Sequence, residues 1–551
     1  MPTVVQRFSA DWDALDRSYA VEISPERLNR FEKFYADEQA GLDAMHFDQL
    51  SKEDQIDYLA LSNRIASDRH QLAIRKKRVD EMLPLLPFAG TIEEFMETKR
   101  RMQRPDAEKD AAALAAMVQE IDAARRKLDP EATKSGERTQ ASKVDPVVAN
   151  RAVNATDALI AALHDWHGQY SGYDPAFTWW VEQPYKDADD ALTKYRDFLK
   201  EKLVGIAPDD RTTVIGDPVG RQALLDELSD DMIPYTPEEL IAIAQTEYDW
   251  CMRQMLKASG EMGFGADWHA AVEKVKQMHL APGEQPELIR KLVVEGSDFA
   301  KQHDLVTVPP LADESWRMIM MTPKRQLVNP FFTGGDEISV SFPTNTMTYD
   351  QREMSMRGNN IPFARATAFH EMIPGHFLQF YMGERHRPYR GAFDTPFWVE
   401  GNAFWWEMLF WEKGFDRTPE ERVGALVWRM HRSARVLFTM NYHLGRWSSA
   451  QCVQYLIDHV GFEPDNAVAE VRRSFDGSVG PLYQSAYLLG ALQFRAMHHE
   501  LVDSGKMTDR QFHDAILHEN TLPVELLRAD LENQKLTRDF KTSWKFYGEH
   551  P

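Results

Sequence analysis

Residues 364–386 read ARATAFHEMIPGHFLQFYMGERH, a stretch of helix-forming residues with a proline-glycine step at its centre. His370 and Glu371 are adjacent, and a second histidine, His376, follows six positions later. Because each residue of a regular helix turns by about 100°, His376 would point roughly 120° away from His370. The two imidazoles can therefore converge only if the helix is interrupted between them.

Pro374 and Gly375 occupy that interval. Proline removes the backbone hydrogen bond to the carbonyl four residues earlier, and glycine accepts the backbone angles of a bulge. We expect this step to loop out two residues and return His376 to the side of His370. A His-Glu pair with a nearby second histidine is typical of zinc hydrolases. The alternative is an ordinary helix end whose histidines only satisfy hydrogen bonds.

A carboxylate follows on a second predicted helix, FWVEGNAFWWEMLFWEKG (residues 397–414), which begins after the cap signal Thr395-Pro396. Glu400 lies in its first turn, 24 residues after His376. Because most of its neighbours are apolar, this carboxylate is costly to bury unless a cation meets it. We therefore predict Glu400 as the third metal ligand.

Glu407 lies about two helical turns beyond Glu400 on the same side of this helix. One interpretation is that it orients a ligand histidine from behind. The other is that it begins a charged stripe with Glu412.

Residues 370–379 and 400–407 together resemble the DUF 885 family (domain of unknown function), a bacterial family with the hallmark His-Glu-x-x-Pro-Gly-His and then a Glu-Gly helix. The resemblance covers mainly residues 235–500. It implies a mainly α, gluzincin-like architecture, as in carboxypeptidase Taq and the oligopeptidases, with a small β-sheet flanking the active-site cleft. It also implies a Zn²⁺ site and a general base at Glu371.

The chain departs from the family pattern near its C-terminus. The family usually shows Asp-x-Gly-x-His, of which residues 439–443 keep only His443. It then shows Pro-Gly-Gln-x-x-Ser-Tyr-x-x-Gly, of which residues 481–490 keep the proline, Tyr487 and the final glycine. The chain is a divergent member by this comparison, so substrate preference does not carry over.

Three residues are candidates for stabilising the oxyanion of a hydrolytic reaction, which needs donors besides a metal. Tyr487 is the first, and His443 and Arg473 stand behind it. The alternatives are a tyrosine that only packs and an arginine in a surface ion pair.

Two further segments have candidate roles in binding a substrate. Residues 338–342 alternate apolar and polar, and we expect a cleft-edge strand that pairs with an extended peptide. Arg385, Arg387 and Arg390 lie between the two metal helices, where they either clamp a substrate carboxylate or form a solvated basic loop.

Composition limits the classes of partner. The formal net charge of -22 argues against nucleic acid and favours a solvated acidic surface, with cationic substrates as the alternative. Two cysteines cannot form a disulfide framework. The first 19 residues lack the pattern of an export signal, and no run of about 18 apolar residues predicts a membrane span. We expect a cytoplasmic protein with no membrane partner, and a homodimer stays open.

Most of the chain is predicted to be helical. Hydroxyl caps followed by early carboxylates at Ser24, Thr91, Thr236 and Thr418 indicate helix starts. Strand patterns are few, at residues 317–321 and 337–342.

The organisation of the chain is read from its turn-forming stretches. Residues 132–146 resemble a linker, or a loop between two long helices of one half, and turn formers recur at residues 207–236. We divide the chain into an N-terminal helical half, residues 1–235, and a metal-binding catalytic half, residues 236–551, which can also pack as one domain.

The leading functional hypothesis is a zinc metallopeptidase, of carboxypeptidase or oligopeptidase type, that cleaves short peptides. A metal-dependent hydrolase of a non-peptide amide or ester is the second. A non-catalytic helical scaffold derived from such an enzyme is the third.

Overall fold

The computed structural model describes residues 1–129, 144–208, 210, 213–326 and 331–548, and it is mainly helical with one small sheet. Residues 132–143 of the linker-like stretch lie outside these ranges. The helices on either side of it end at Leu128 and begin at Pro146.

Contacts divide the chain into two compact units, called here the small and the large unit. The small unit comprises Gln6–Met45 and Ile65–Ile215, and the large unit comprises Met1–Val5, His46–Arg64 and Gly216–Pro551. The predicted division of the chain into halves between residues 235 and 236 concerns folding units, and it stays a prediction. Along the chain, the change between compact units at residues 215 and 216 falls within the turn-rich stretch noted above.

The first seven helices are α1 (Pro2–Ser18), α2 (Pro25–Asp43), α3 (Lys52–Met82), α4 (Ala89–Arg100), α5 (Ala107–Leu128), α6 (Pro146–Tyr170) and α7 (Pro175–Phe198). In the small unit, α5, α6 and α7 pack together around an apolar core. Trp166 is fully buried there and stacks on Phe95 of α4 at 4.2 Å between ring centroids.

The helices that follow are α8 (Gly220–Asp230), α9 (Pro237–Glu261), α10 (Trp268–Lys276), α11 (Gln285–Gln302), α12 (Pro310–Ser315), α13 (Pro323–Gln326), α14 (Tyr349–Gly358), α15 (Ile361–Glu371) and α16 (His376–Gly383). The last seven are α17 (Pro396–Glu412), α18 (Pro419–His443), α19 (Ser449–Val460), α20 (Pro464–Phe475), α21 (Tyr483–His498), α22 (Asp509–Glu519) and α23 (Val524–Leu531). In the large unit, α18 is buried along most of its length and packs against α9, α15, α19 and α21.

The predicted helix starts are confirmed at three of four positions. Ser24 caps α2, and Thr236 and Thr418 form capping boxes at the starts of α9 and α18. Thr91 is wrong as a start, because α4 begins two residues earlier at Ala89.

The two predicted strands form a parallel pair, β1 (Arg317–Met320) and β2 (Glu337–Val340). Thr333 forms an antiparallel bridge to Ser339, so the residues just before β2 fold back beside it. No described helix combines the length and apolar character that crossing a bilayer requires.

His513 on α22 is a buried structural histidine of the large unit. Its Nε2 accepts a hydrogen bond from the indole of Trp405 at 2.9 Å, and its Nδ1 lies 2.9 Å from the carbonyl oxygen of Leu305. Since a carbonyl oxygen only accepts, Nδ1 carries the proton and the ring is neutral. Burial lowers the pKa of His513 to about 3.

This neutral histidine predicts acid sensitivity of the fold. A pKa below the ordinary value of about 6.5 contributes stability that is present above pH 6.5 and is lost as pH falls from 6.5 toward 3, by about 1.4 kcal/mol per pH unit. We expect the free energy of unfolding, measured by urea at pH 5 to 8 with chelator, to fall less steeply below pH 6.5 in His513→Gln than in wild type. The exposed His46, replaced by Gln, serves as the control and leaves the slope unchanged. Equal slopes for wild type and His513→Gln contradict the prediction.

Candidate metal centre

The proline-glycine step separates two helices and brings their histidines together. Helix α15 ends at Glu371 and α16 begins at His376, so the expected interruption divides the segment rather than bulging one helix. The Gly375 N–H donates to the carbonyl oxygen of Phe369 at 3.0 Å. A Cβ on Gly375 would lie 1.8 Å from the carbonyl oxygen of His370, so only glycine fits this turn.

The two imidazoles converge on one carboxylate oxygen. Nε2 of His376 lies 3.2 Å and Nε2 of His370 lies 3.7 Å from Oε2 of Glu400. Tetrahedral zinc with bonds of about 2.0–2.1 Å holds its ligand atoms about 3.3 Å from one another. Both separations between an imidazole nitrogen and the carboxylate oxygen are thus close to those between two ligands of a single ion.

The donor set also suits a cation chemically. Glu400 is only 6% exposed, and its Oε2, although close to both imidazoles, forms no hydrogen bond of good geometry with any described residue. A buried carboxylate oxygen without a partner is unfavourable unless a cation approaches it. Two imidazoles and one carboxylate are ligands that zinc accepts while a fourth position stays open.

Polar side chains lie behind both candidate ligand histidines. Nδ1 of His370 lies 2.8 Å from Oε1 of Glu407, which also accepts from Nη2 of Arg432 at 3.1 Å. The side chain of Glu407 is buried against His370. This position favours the role of orienting the histidine over that of starting an exposed charged stripe. Behind His376, Nδ1 lies 3.1 Å from Oε1 of Gln379. Such partners set the tautomer and the orientation of a ligand imidazole.

The carboxylate of Glu400 has its own support from α21. The hydroxyl of Tyr483 donates a hydrogen bond to Oε1 of Glu400. Helices α17 and α21 approach closely at two glycines, because a Cβ on Gly401 would lie 2.6 Å from the Cα of Gly490. Sequence reasoning missed Tyr483, although it lies one helical turn before Tyr487 and therefore on the same face of α21.

Charges in this cluster are strongly coupled. Burial opposes the charge on Glu400, but the imidazoles of His376 and His370 hold its pKa well below the ordinary range. Burial also opposes the charge on His370, but Glu400 and Glu407 raise its pKa to about 9. The carboxylates thus favour positive charge at the point where the ligand atoms meet.

Glu371 is close to both histidines but is held separately. Ligand atoms of His370, Glu371 and His376 lie within 4.8 Å of one another. Oε2 of Glu371 accepts a hydrogen bond from the backbone N–H of Gly334, in the segment that folds back beside β2. A Cβ on Gly334 would lie 2.2 Å from the carbonyl oxygen of Glu371, so this approach requires glycine.

A cavity of about 510 Å³ adjoins the cluster. It is lined by the three candidate ligands and Glu371, by residues 331–334, and by arginine and tyrosine side chains. The expected cleft-edge strand at residues 338–342 is not among its lining residues; its partner segment, residues 331–334, lies at the cavity instead. The arginines and tyrosines are Arg432, Arg435, Arg473, Tyr483 and Tyr487.

Two of the three predicted oxyanion donors lie at this cavity. Tyr487 and Arg473 line it, whereas His443 does not: its ring is buried against Tyr442 and Phe475, at 5.3 and 5.7 Å between centroids. Burial and the nearby Glu400 raise the pKa of Tyr487 to about 12, which keeps its hydroxyl protonated as a donor.

The three arginines in the connection between α16 and α17 do not line the cavity. Arg390 is fully buried and contacts Asp57 at 2.8 Å and the carboxylate of Glu519. Arg387 pairs with Glu53 and Glu519. Both the substrate clamp and the solvated loop are therefore wrong for the buried Arg390, which ties chain segments together. Arg387 is partly exposed, and its ion pairs also join distant segments. Only the exposed Arg385 resembles a solvated residue.

Replacing Arg390 tests its structural role. We expect Arg390→Met to lower the free energy of unfolding by about 3–5 kcal/mol, because Asp57, itself fully buried, loses its cation. Arg385→Met, in the same connection but exposed, should change it by no more than about 0.5 kcal/mol. Urea unfolding measures both, and a stable Arg390→Met protein contradicts the assignment.

Two solved structures share the fold over nearly the full length. One, from Shewanella oneidensis, is 16% identical, has a TM-score of 0.68, and covers 96% of this chain and 99% of its own. The other, from Colwellia psychrerythraea, is 14% identical, has a TM-score of 0.62, and covers 97% and 98%. Both proteins carry the name "putative lipoprotein". No curated protein matches the chain.

Because these names concern the two neighbours alone, a cytoplasmic location of this chain stays a prediction.

The match to a sequence family is more specific than a shared fold, because it rests on the sequence itself. The model of the family described as "Bacterial protein of unknown function (DUF885)" matches residues 12–531, which is most of the chain. The chain therefore belongs to the DUF885 family.

Proposed function

We propose that this protein is a zinc-dependent hydrolase, a peptidase that cleaves short peptides, with a gluzincin-like arrangement of its metal helices. The observation that carries the proposal is the convergence of His370, His376 and Glu400, with Glu371 beside them, at the edge of a cavity. A Zn²⁺ ion held by this set would lower the pKa of a water molecule and polarise a substrate carbonyl.

Glu371 is the general base of this proposal. Its carboxylate lies at the cavity, and the Gly334 N–H fixes one of its oxygens. The other oxygen can accept a proton from the attacking water and return it to the leaving amine. Tyr487 on α21 can donate a hydrogen bond to an oxyanion formed in the same cavity.

A peptide-library digest tests the activity directly. We expect the purified protein to cleave short peptides, to lose this activity with a chelator, and to regain it with zinc. Cleavage that persists in chelator contradicts a metal-dependent mechanism. Hydrolysis of small amides or esters without any peptide cleavage would leave the second hypothesis, a non-peptide hydrolase.

Replacing Glu400 tests the ligand set. We expect Glu400→Ala to lower the zinc content of the purified protein from about one ion per chain to a small fraction, because two imidazoles alone hold zinc weakly. Glu412→Ala is the matched control, since Glu412 ends the same helix but is exposed. Metal analysis measures both, and unchanged zinc in Glu400→Ala removes Glu400 from the ligand set.

A further inference from the structure

Three arginines line the cavity beside the candidate ligands. Arg432 and Arg435 come from α18 and are buried, at 4% and 3% exposed. Arg473 comes from α20 and is half-buried. Guanidinium groups are costly to bury without partners. Donors that the protein leaves unpaired therefore indicate which kind of ligand the cavity accepts.

The partners account for only part of these groups. Nε of Arg435 donates to Glu470 at 2.7 Å, and Nη2 of Arg432 donates to Glu407. Nη1 of Arg435 and Nε of Arg432 are buried with no acceptor among the described residues. Arg473 forms no hydrogen bond or ion pair with any residue in the described ranges, and its guanidinium lies 5.9 Å from the centre of the Tyr483 ring.

The carboxylates around the cavity do not pair with these unused guanidinium donors. Glu470 is already engaged by Arg435 and lies 3.3 Å from His431. Glu371 and Glu400 belong to the candidate metal cluster. The cavity therefore presents unused guanidinium donors next to the atoms that would carry out hydrolysis.

We propose that Arg473, together with the unpartnered Nη1 of Arg435, binds a carboxylate of the substrate. The guanidinium fork matches the two oxygens of a carboxylate, and such charge-assisted hydrogen bonds are stronger than neutral ones. The inference rests on the proposed function, because it names the substrate class of the same site: short peptides with a carboxylate close to the scissile bond.

The size of the cavity agrees with a small anionic ligand. Its volume of about 510 Å³ holds a few residues rather than a folded chain. The carboxylate has two sources, the C-terminal carboxylate of a peptide or the side chain of an acidic residue, and both offer the same chemistry to Arg473.

Binding to an inactive variant tests the inference without turnover. The full-length Glu371→Gln protein, as purified, is titrated in a calorimeter with Ala-Ala-Ala as free acid and as C-terminal amide. The second pair is the amides of Ala-Glu-Ala and Ala-Gln-Ala. In one of these two pairs, we expect the peptide that carries the extra carboxylate to bind roughly 10- to 100-fold more tightly than its neutral partner. The net charge of -22 works against this preference, so a long-range effect cannot imitate it.

Variants on α20 assign the effect to one side chain. Combined with Glu371→Gln, Arg473→Met should reduce the preference to about one, and Arg473→Lys should keep part of it. Arg472→Met is the matched control, since it neighbours Arg473 on the same helix but does not line the cavity, and it should keep the full preference.

Several outcomes overturn the inference. They are equal binding within both pairs, no binding of any peptide at millimolar concentration, or a preference that survives Arg473→Met. In the otherwise wild-type enzyme, an Arg473→Met change that lowers kcat equally for acid and amide substrates would make Arg473 an oxyanion donor instead. Failure of the proposed function is distinct: the wild-type protein then hydrolyses no peptide even though the carboxylate preference in binding is present.

Discussion

Glu371→Gln should lower peptide hydrolysis by about 10²- to 10⁴-fold while the protein keeps its zinc. The amide side chain is the same size, and its oxygen can still accept the hydrogen bond from the Gly334 N–H. It cannot accept a proton, so the variant loses only the proposed general base. Steady-state kinetics and metal analysis of the same preparation measure the two effects.

The matched control is Glu384→Gln, an exposed glutamate just after α16. It should leave both turnover and zinc content at wild-type values. Because the carboxylate of Glu371 also lies within 4.8 Å of the histidine ligand atoms, metal content decides its role. Loss of zinc in Glu371→Gln would make it a ligand, and full activity would remove it from the mechanism.

Gly375→Ala should disrupt the metal centre from within the backbone. The added Cβ would lie 1.8 Å from the carbonyl oxygen and 2.4 Å from the carbonyl carbon of His370, and neither atom belongs to a flexible side chain. The turn must open, which moves His370 away from His376. We expect the free energy of unfolding to fall by about 3 kcal/mol and zinc affinity to fall about 10- to 100-fold.

Gly391→Ala is the control for this change. Gly391 lies in the connection between α16 and α17, and no heavy atom lies within 4 Å of the Cβ it would gain. It should behave as wild type in urea unfolding and in zinc titration. A Gly375→Ala protein with wild-type stability and wild-type zinc affinity would show that the turn does not set the ligand geometry.

The convergence of the three candidate ligands was predictable because its signals are local. His370 and His376 are six residues apart, with a helix-breaking step between them, and Glu400 follows a cap signal on an apolar helix. Capping patterns likewise located the starts of α2, α9 and α18. The helix start at Thr91 failed because Phe88 is already in helical conformation and α4 begins at Ala89, so Thr91 lies within the first turn and not at the cap position.

Other parts of the site depend on contacts that no local pattern encodes. Asp57, the partner of Arg390, is 333 residues away along the chain, so the structural role of this arginine was invisible in the sequence. Gly334 and Arg432 likewise reach the cluster from distant segments. His443 kept a family position, yet its buried place beside Phe475 rather than at the cavity emerges only from packing.

Anomalous diffraction at the zinc edge, from crystals of the full chain grown without chelator, locates any zinc ion bound at this cluster. We predict one peak at high occupancy, within about 2.2 Å of Nε2 of His370, Nε2 of His376 and a carboxylate oxygen of Glu400. No peak there, even after crystals are soaked in zinc, would contradict zinc binding by these residues. So would an ion bound by any other set of residues.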